Sequence, residues 1–151
     1  MIHKFSSAAA MQKFAAALTK KVFKQKPGHH ARVVGLVGDL GAGKTTFVQG
    51  FAKALGIKRH VPSPTFLIFR SYKLATLNFK LLYHADAYRL NSSKELDVLD
   101  FKDILKDPHN IVIIEWADKV KNILPKDTIW LNFTHGQGVE TRHISIRKPA
   151  E

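Results

Sequence analysis

The sequence predicts an α/β fold of three layers, with helices on both faces of a sheet that mixes parallel and antiparallel strands. Three observations carry that expectation. Arg32–Val37 and Ile111–Ile114 are short, mostly apolar runs without polar alternation, as expected of strands buried on both faces of a parallel sheet. Segments of helical period lie between them. Towards the end, Ile129, Leu131 and Phe133, then Ile144 and Ile146, recur with period two, the mark of antiparallel strands. The 151 residues suit one domain spanning 1–151, long enough to bury a core without disulfides or a structural metal.

The elements follow in order. Met11, Ala15, Leu18 and Val22 line one face of an amphipathic helix that Ser6 or Ser7 can cap and Pro27-Gly28 stops. The first buried strand, 32–37, leads through a glycine-rich turn into a second helix from Thr45, with Val48, Phe51, Ala52 and Leu55 on its inner side and Gly56 at its C-terminal cap. Residues 65–72 and 79–86, rich in Phe, Leu, Ile and Tyr, read as two strands of a hairpin about Ala75-Thr76-Leu77-Asn78. A capping box, Ser92-x-x-Glu95, opens one helical stretch through Leu96, Leu99, Ile104 and Leu105, which Pro108 closes. Strand 111–114 ends on Glu115-Trp116, and the two alternating strands complete the chain.

Composition narrows the function. With no cysteine, disulfide scaffolds, thiolate metal sites and cysteine catalysis are excluded. No apolar run approaches the ~18 residues of a membrane span, and Gln12 and Lys13 interrupt the apolar N-terminus, so a soluble, cytoplasmic protein is expected. The formal net charge is +12, from 24 Lys and Arg against 12 Asp and Glu. Residues 1–60 hold 11 of those cations and a single acid, Asp39. Such a field favours an anionic partner: a nucleotide, an RNA or an acidic protein surface.

Gly38-Asp39-Leu40-Gly41-Ala42-Gly43-Lys44-Thr45 fits G-x-x-x-x-G-K-[ST] at every position, between a predicted strand and a predicted helix. The chemistry needs that spacing. Glycines adopt φ values closed to other residues, so successive backbone N–H groups can turn inward around phosphate oxygens. The helix beginning near Lys44 adds the positive end of its dipole. Lys44 brings a full charge towards the β- and γ-phosphates, and the Thr45 hydroxyl can ligate Mg²⁺; Thr46 follows in the same turn. ATP and Mg²⁺ are the expected cofactors.

Phosphoryl chemistry with Mg²⁺ also asks for an acid near the metal, commonly at the end of an apolar strand beside the loop. Glu115 has that context: it could reach the metal directly beside Thr45 or hold a metal-bound water, and the alternative is an ordinary strand-end carboxylate. His84 and Asp86, two apart on a strand, share one face; Asp86 could orient an attacking water or join the Mg²⁺ shell, whereas His84 by itself reads as a structural histidine. Thr65, in Ser63-Pro64-Thr65-Phe66, is a candidate switch hydroxyl, a role it shares with the alternative of a loop merely stiffened by Pro62 and Pro64. Trp116, at a strand end, reads first as a core aromatic.

Together, G-D-L-G-A-G-K-T-T (38–46), V-P-S-P-T-F (61–66), Y-H-A-D-A-Y-R-L (83–90), I-I-E-W-A-D-K (113–119) and I-L-P (123–125) resemble the bacterial TsaE family, in order between about Phe5 and Ile146. The resemblance implies a P-loop NTPase fold and Mg²⁺-dependent ATP hydrolysis that is slow alone and promoted by the paired subunits TsaB and TsaD. It implies a role in threonylcarbamoyladenosine (t6A) modification of tRNA, where hydrolysis resets the complex and does not supply the transferred group. Residue by residue, Lys44 and Thr45 match the phosphate and metal positions, Thr65 the switch threonine, Asp86 the acid implicated in hydrolysis and Glu115 the metal-associated acid. Trp116 matches the Trp beside that Glu, and Arg142 resembles an Arg near the nucleotide. tRNA would be met indirectly or through the basic first third.

Two other classes fit a phosphate loop. A small-molecule kinase usually needs an Arg-rich lid, but residues 90–108 mix Lys, Asp and Glu and contain no Arg. A nucleotide-gated binding module with negligible turnover is the third reading. No Asn-Lys-x-Asp signature marks a GTPase.

Overall fold

The computed structural model describes residues 2–39, 41–62, 64, 68–76, 78–97, 99–137 and 141–147. It is built on one seven-stranded sheet. The strands are β1 (Ile2–Phe5), β2 (Arg32–Gly38), β3 (Phe69–Lys73), β4 (Leu81–Asp86), β5 (Asn110–Glu115), β6 (Ile129–His135) and β7 (Arg142–Arg147), in the order β1-β7-β6-β2-β5-β4-β3. β6, β2, β5 and β4 run parallel, and antiparallel pairs flank them at both edges. The expected mixture is present.

Parity along the central strands explains their unbroken apolar sequence. Val34, Leu36, Ile111 and Ile113 face one cluster, with Met11, Ala15 and Leu18 of α1 (Ala8–Lys24) and Phe47, Val48 and Phe51 of α2 (Lys44–Ala54). Val33, Val112 and Ile114 face the other, with Phe101, Leu105, Ala117 and Val120. Each strand is covered twice, so no polar side is left to alternate. α1 starts where Ser7 accepts from Ala10 N at 3.1 Å, and α2 is followed by Gly56 at φ +89°, as the sequence suggests.

Three expectations change. The short N-terminal strand β1 was not foreseen; four residues at a sheet edge carry no period, and the register that makes them a strand comes from β7. The first hairpin strand begins at Phe69, and positions 65–67 lie outside the described residues. The single helix expected after Ser92 is two, α3 (Lys94–Asp97) and α4 (Phe101–Lys106), because Asp100 takes φ +55° and breaks the turn between them. Glu95 closes back on the amide of Asn91, at 3.2 Å, instead of that of Ser92. Among the described residues, no helix is long and apolar enough to cross a membrane.

Candidate nucleotide-binding site

The parallel strands bring three carboxyl ends together. β2 ends at Gly38, where the phosphate loop begins; β5 ends at Glu115, paired in register with Leu36 on one side and Asp86 on the other. By strand parity Glu115, Asp86 and His84 share the face that carries α2. Topology thus places the loop lysine, the loop threonine and two acids in one crevice, although they are far apart in sequence. That crevice outside strand ends is where open α/β sheets bind ligands.

The loop has the backbone its motif requires. Gly38, Gly41 and Gly43 have φ of +151°, +77° and +101°. At Gly43 a side chain is doubly excluded: its backbone is left-handed, and a Cβ would lie 2.7 Å from Met11 Cε. Gly43 is also the N-cap of α2, and no side chain caps that helix, in contrast to the Ser7 cap of α1. The first N–H groups of α2 are therefore left to an anion. Leu40 lies outside the described residues, as does Thr65.

Lys44 is buried, and its ammonium is turned back on its own loop. Nζ donates to the carbonyl of Gly38 and, at 3.4 Å, to that of Asp39, and lies 3.8 Å from the centroid of the Trp116 ring. Burial lowers its pKa below the ordinary 10.5; the carboxylates of Glu115, Asp86, Asp118 and Asp39 oppose the shift without cancelling it. A phosphate tail would supply the negative charge this ammonium lacks. Trp116 itself takes φ +58°, and its ring meets that of Tyr88 at 5.0 Å, tilted by 48°. The ring thus packs against the second core cluster on one side and meets the Lys44 ammonium on the other.

Both carboxylate oxygens of Glu115 have partners. Oε1 accepts from Thr45 Oγ1 at 3.5 Å, and Oε2 lies 2.7 Å from His84 Nε2. A hydroxyl and a carboxylate facing each other are hard oxygen donors of the kind Mg²⁺ takes alongside phosphates and water. Among the described residues no three His, Asp or Glu cluster as a protein cage for a metal, and an ion completed by phosphates needs none. The residues fit Mg²⁺. Asp86 is fixed nearby, with Oδ1 accepting from Tyr88 N at 2.9 Å.

On the other side of the loop, Arg142 at the start of β7 donates through Nε to Gly41 O at 3.0 Å, bracing the turn across 101 positions of sequence. A cleft of about 410 Å³ opens there between Arg142, Gly41, Gly43, Thr46 and the start of α1 at Ser7, Ala8 and Met11. The contribution of α1 was not foreseen. Its residues carry no motif, and only the packing of α1 on α2 brings them to the loop.

Fold and crevice define a P-loop nucleotide-binding protein. The TsaE family profile, described as threonylcarbamoyl adenosine biosynthesis protein TsaE, matches residues 5–144, and the chain belongs to that family. It is 38% identical over 105 residues to the tRNA threonylcarbamoyladenosine biosynthesis protein TsaE of Haemophilus influenzae, covering 70% of this chain and 64% of that one. With the protein of the same name from Bacillus subtilis it is 41% identical over 108 residues, 69% of this chain and 60% of that one. The Borreliella burgdorferi protein of that name is 37% identical over 130 residues, covering 86% and 88% respectively. The matched region thus spans under two thirds of the first two relatives. The crystal structure of Bacillus subtilis YdiB superimposes with a TM-score of 0.72 at 29% identity, over 99% of this chain and 86% of that one.

Proposed function

We propose that this chain binds ATP with Mg²⁺ and hydrolyses it to ADP and phosphate, in support of t6A modification of tRNA and together with a TsaB–TsaD pair. The observation that carries the reading is the crevice itself: a buried lysine with a lowered pKa, an uncapped helix start, and an oxygen pair formed by Thr45 in the first turn of α2 and Glu115 at the end of β5. Gly38 to Thr46 hold the triphosphate, with backbone N–H groups donating to its oxygens and Lys44 leaving its own carbonyls for them. Thr45 and Glu115 hold Mg²⁺, which when bound neutralises charge on the β- and γ-phosphates. Asp86 orients the attacking water, and Thr65 senses the terminal phosphate. Trp116 walls the phosphate end, while Arg142 and the cleft beside it take the nucleoside end.

Partners are expected to speed hydrolysis by completing the arrangement of Asp86 and Thr65 around the attacking water. The whole is read as one ATPase domain working in the cytoplasm. Incubation with MgATP and no acceptor tests the class: ADP and free phosphate should form slowly, and faster when TsaB and TsaD are added. Phosphate appearing only on an added small molecule would make it a kinase. Nucleotide-dependent assembly without phosphate release, partners present, would leave a binding module.

A further inference from the structure

We propose that His84 is a positioning residue for Glu115: its Nε2–H holds one carboxylate oxygen so that the other stays turned to Thr45. The inference rests on the reading of Glu115 as a Mg²⁺ contact. His84 is fully buried, and Glu115 is 3% exposed, so the pair sits beyond the reach of bulk water. In the register of β4 on β5, His84 lies beside Ile113 and Asp86 beside Glu115, which makes His84 the diagonal neighbour of Glu115 on the same face.

The chemistry fixes the direction of the bond. An ionised carboxylate only accepts, so at 2.7 Å the hydrogen belongs to Nε2. The ring's other nitrogen, Nδ1, is buried and finds no partner among the described residues. Among the described residues, the contact with Glu115 is thus the one hydrogen bond that the ring makes. A histidine serving only to fill the core would be replaced at lower cost by Leu or Phe, since an unpaired buried polar atom is unfavourable. What the ring adds is orientation. Without it the Glu115 carboxylate could rotate, and Oε1 would lose its fixed place 3.5 Å from Thr45 Oγ1.

The test uses the whole chain and three variants, His84→Leu, His84→Gln and His84→Asn. The Gln amide nitrogen falls where Nε2 is; the Asn nitrogen falls near Nδ1. Binding of a fluorescent ATP analogue is followed while Mg²⁺ is titrated, and again in excess EDTA, with thermal melting to check folding. His84→Leu should need about 10- to 100-fold more Mg²⁺ at half-effect, the usual cost of losing an outer partner of a metal ligand, with metal-free affinity unchanged. His84→Gln should restore the wild-type midpoint and His84→Asn should not. An unmoved midpoint in folded His84→Leu, or equal midpoints for Gln and Asn, overturns the proposal. If His84→Leu does not fold, the Gln–Asn comparison decides. Failure of the underlying reading looks different: Glu115→Gln would then leave the Mg²⁺ dependence of the wild type unmoved.

Discussion

Replacing Lys44 with Met keeps most of the side-chain stem and removes its charge, and the geometry allows the effect to be worked out. In the nucleotide-free protein the ammonium already has partners: the Gly38 and Asp39 carbonyls and the Trp116 ring at 3.8 Å. Binding exchanges these for phosphate oxygens. Two charge-assisted hydrogen bonds contribute about 1.5–3 kcal/mol each. Against that stand a desolvated cation–π contact of about 2 kcal/mol and about 1 kcal/mol for the carbonyls. The net loss in Lys44→Met is then about 0–3 kcal/mol, and its midpoint of about 1.5 kcal/mol corresponds to about 10-fold weaker nucleotide binding. Titration calorimetry at neutral pH reads it directly. Folding should not suffer, because the substitution removes an ammonium whose burial is costly enough to lower its pKa. The melting temperature should stay level or rise. A folded variant with wild-type nucleotide affinity would refute the phosphate role, and a sharp fall in melting temperature would make Lys44 a structural residue instead.

The same lysine sets a pH dependence. Its pKa is lowered in the free protein and phosphate charge raises it, so on the alkaline side, below 10.5, binding takes up a proton. In that window the unfolded chain holds a proton that the folded nucleotide-free chain has released, so stability rises with pH there. Calorimetry at about pH 9 in buffers of different ionisation enthalpy should show the uptake; a buffer-independent enthalpy contradicts it, and Lys44→Met should abolish it. A second expectation concerns the basic first third. Lys4, Lys13, Lys20, Lys21, Lys24, Lys26, Lys53, Lys58 and Arg59 are exposed and none forms an ion pair among the described residues. If that surface meets tRNA, affinity should fall steeply and linearly in log–log form with salt; a flat response removes the surface from the reading.

How much was legible in advance depends on how local each signal is. The phosphate loop is eight consecutive residues whose types dictate their own backbone, so the motif and the positive φ values at Gly38, Gly41 and Gly43 agree. β2 and β5 announced themselves because burial on both faces leaves a strand no polar side. Glu115 was legible as an acid at the end of such a strand. His84 was not, for a lone histidine on a strand says nothing until its neighbour is known, and that neighbour lies 31 positions away on β5. Trp116 likewise reads as core from its type alone, whereas its place over Lys44 follows from the left-handed turn it makes after β5.

By itself, then, the order of residues determined the α/β class, the phosphate cradle and the identity of most groups that line it, since period, glycine placement and strand-end acids are written within a few positions. Tertiary structure alone decided the rest. It turned β1 into a strand through β7, broke the helix at Asp100, braced Gly41 with Arg142, brought the start of α1 to the cleft and set His84 against Glu115. Apart from the break at Asp100, which is a local backbone turn, each of these depends on a partner remote in the chain, and chain separation carries no record of which surfaces burial will press together.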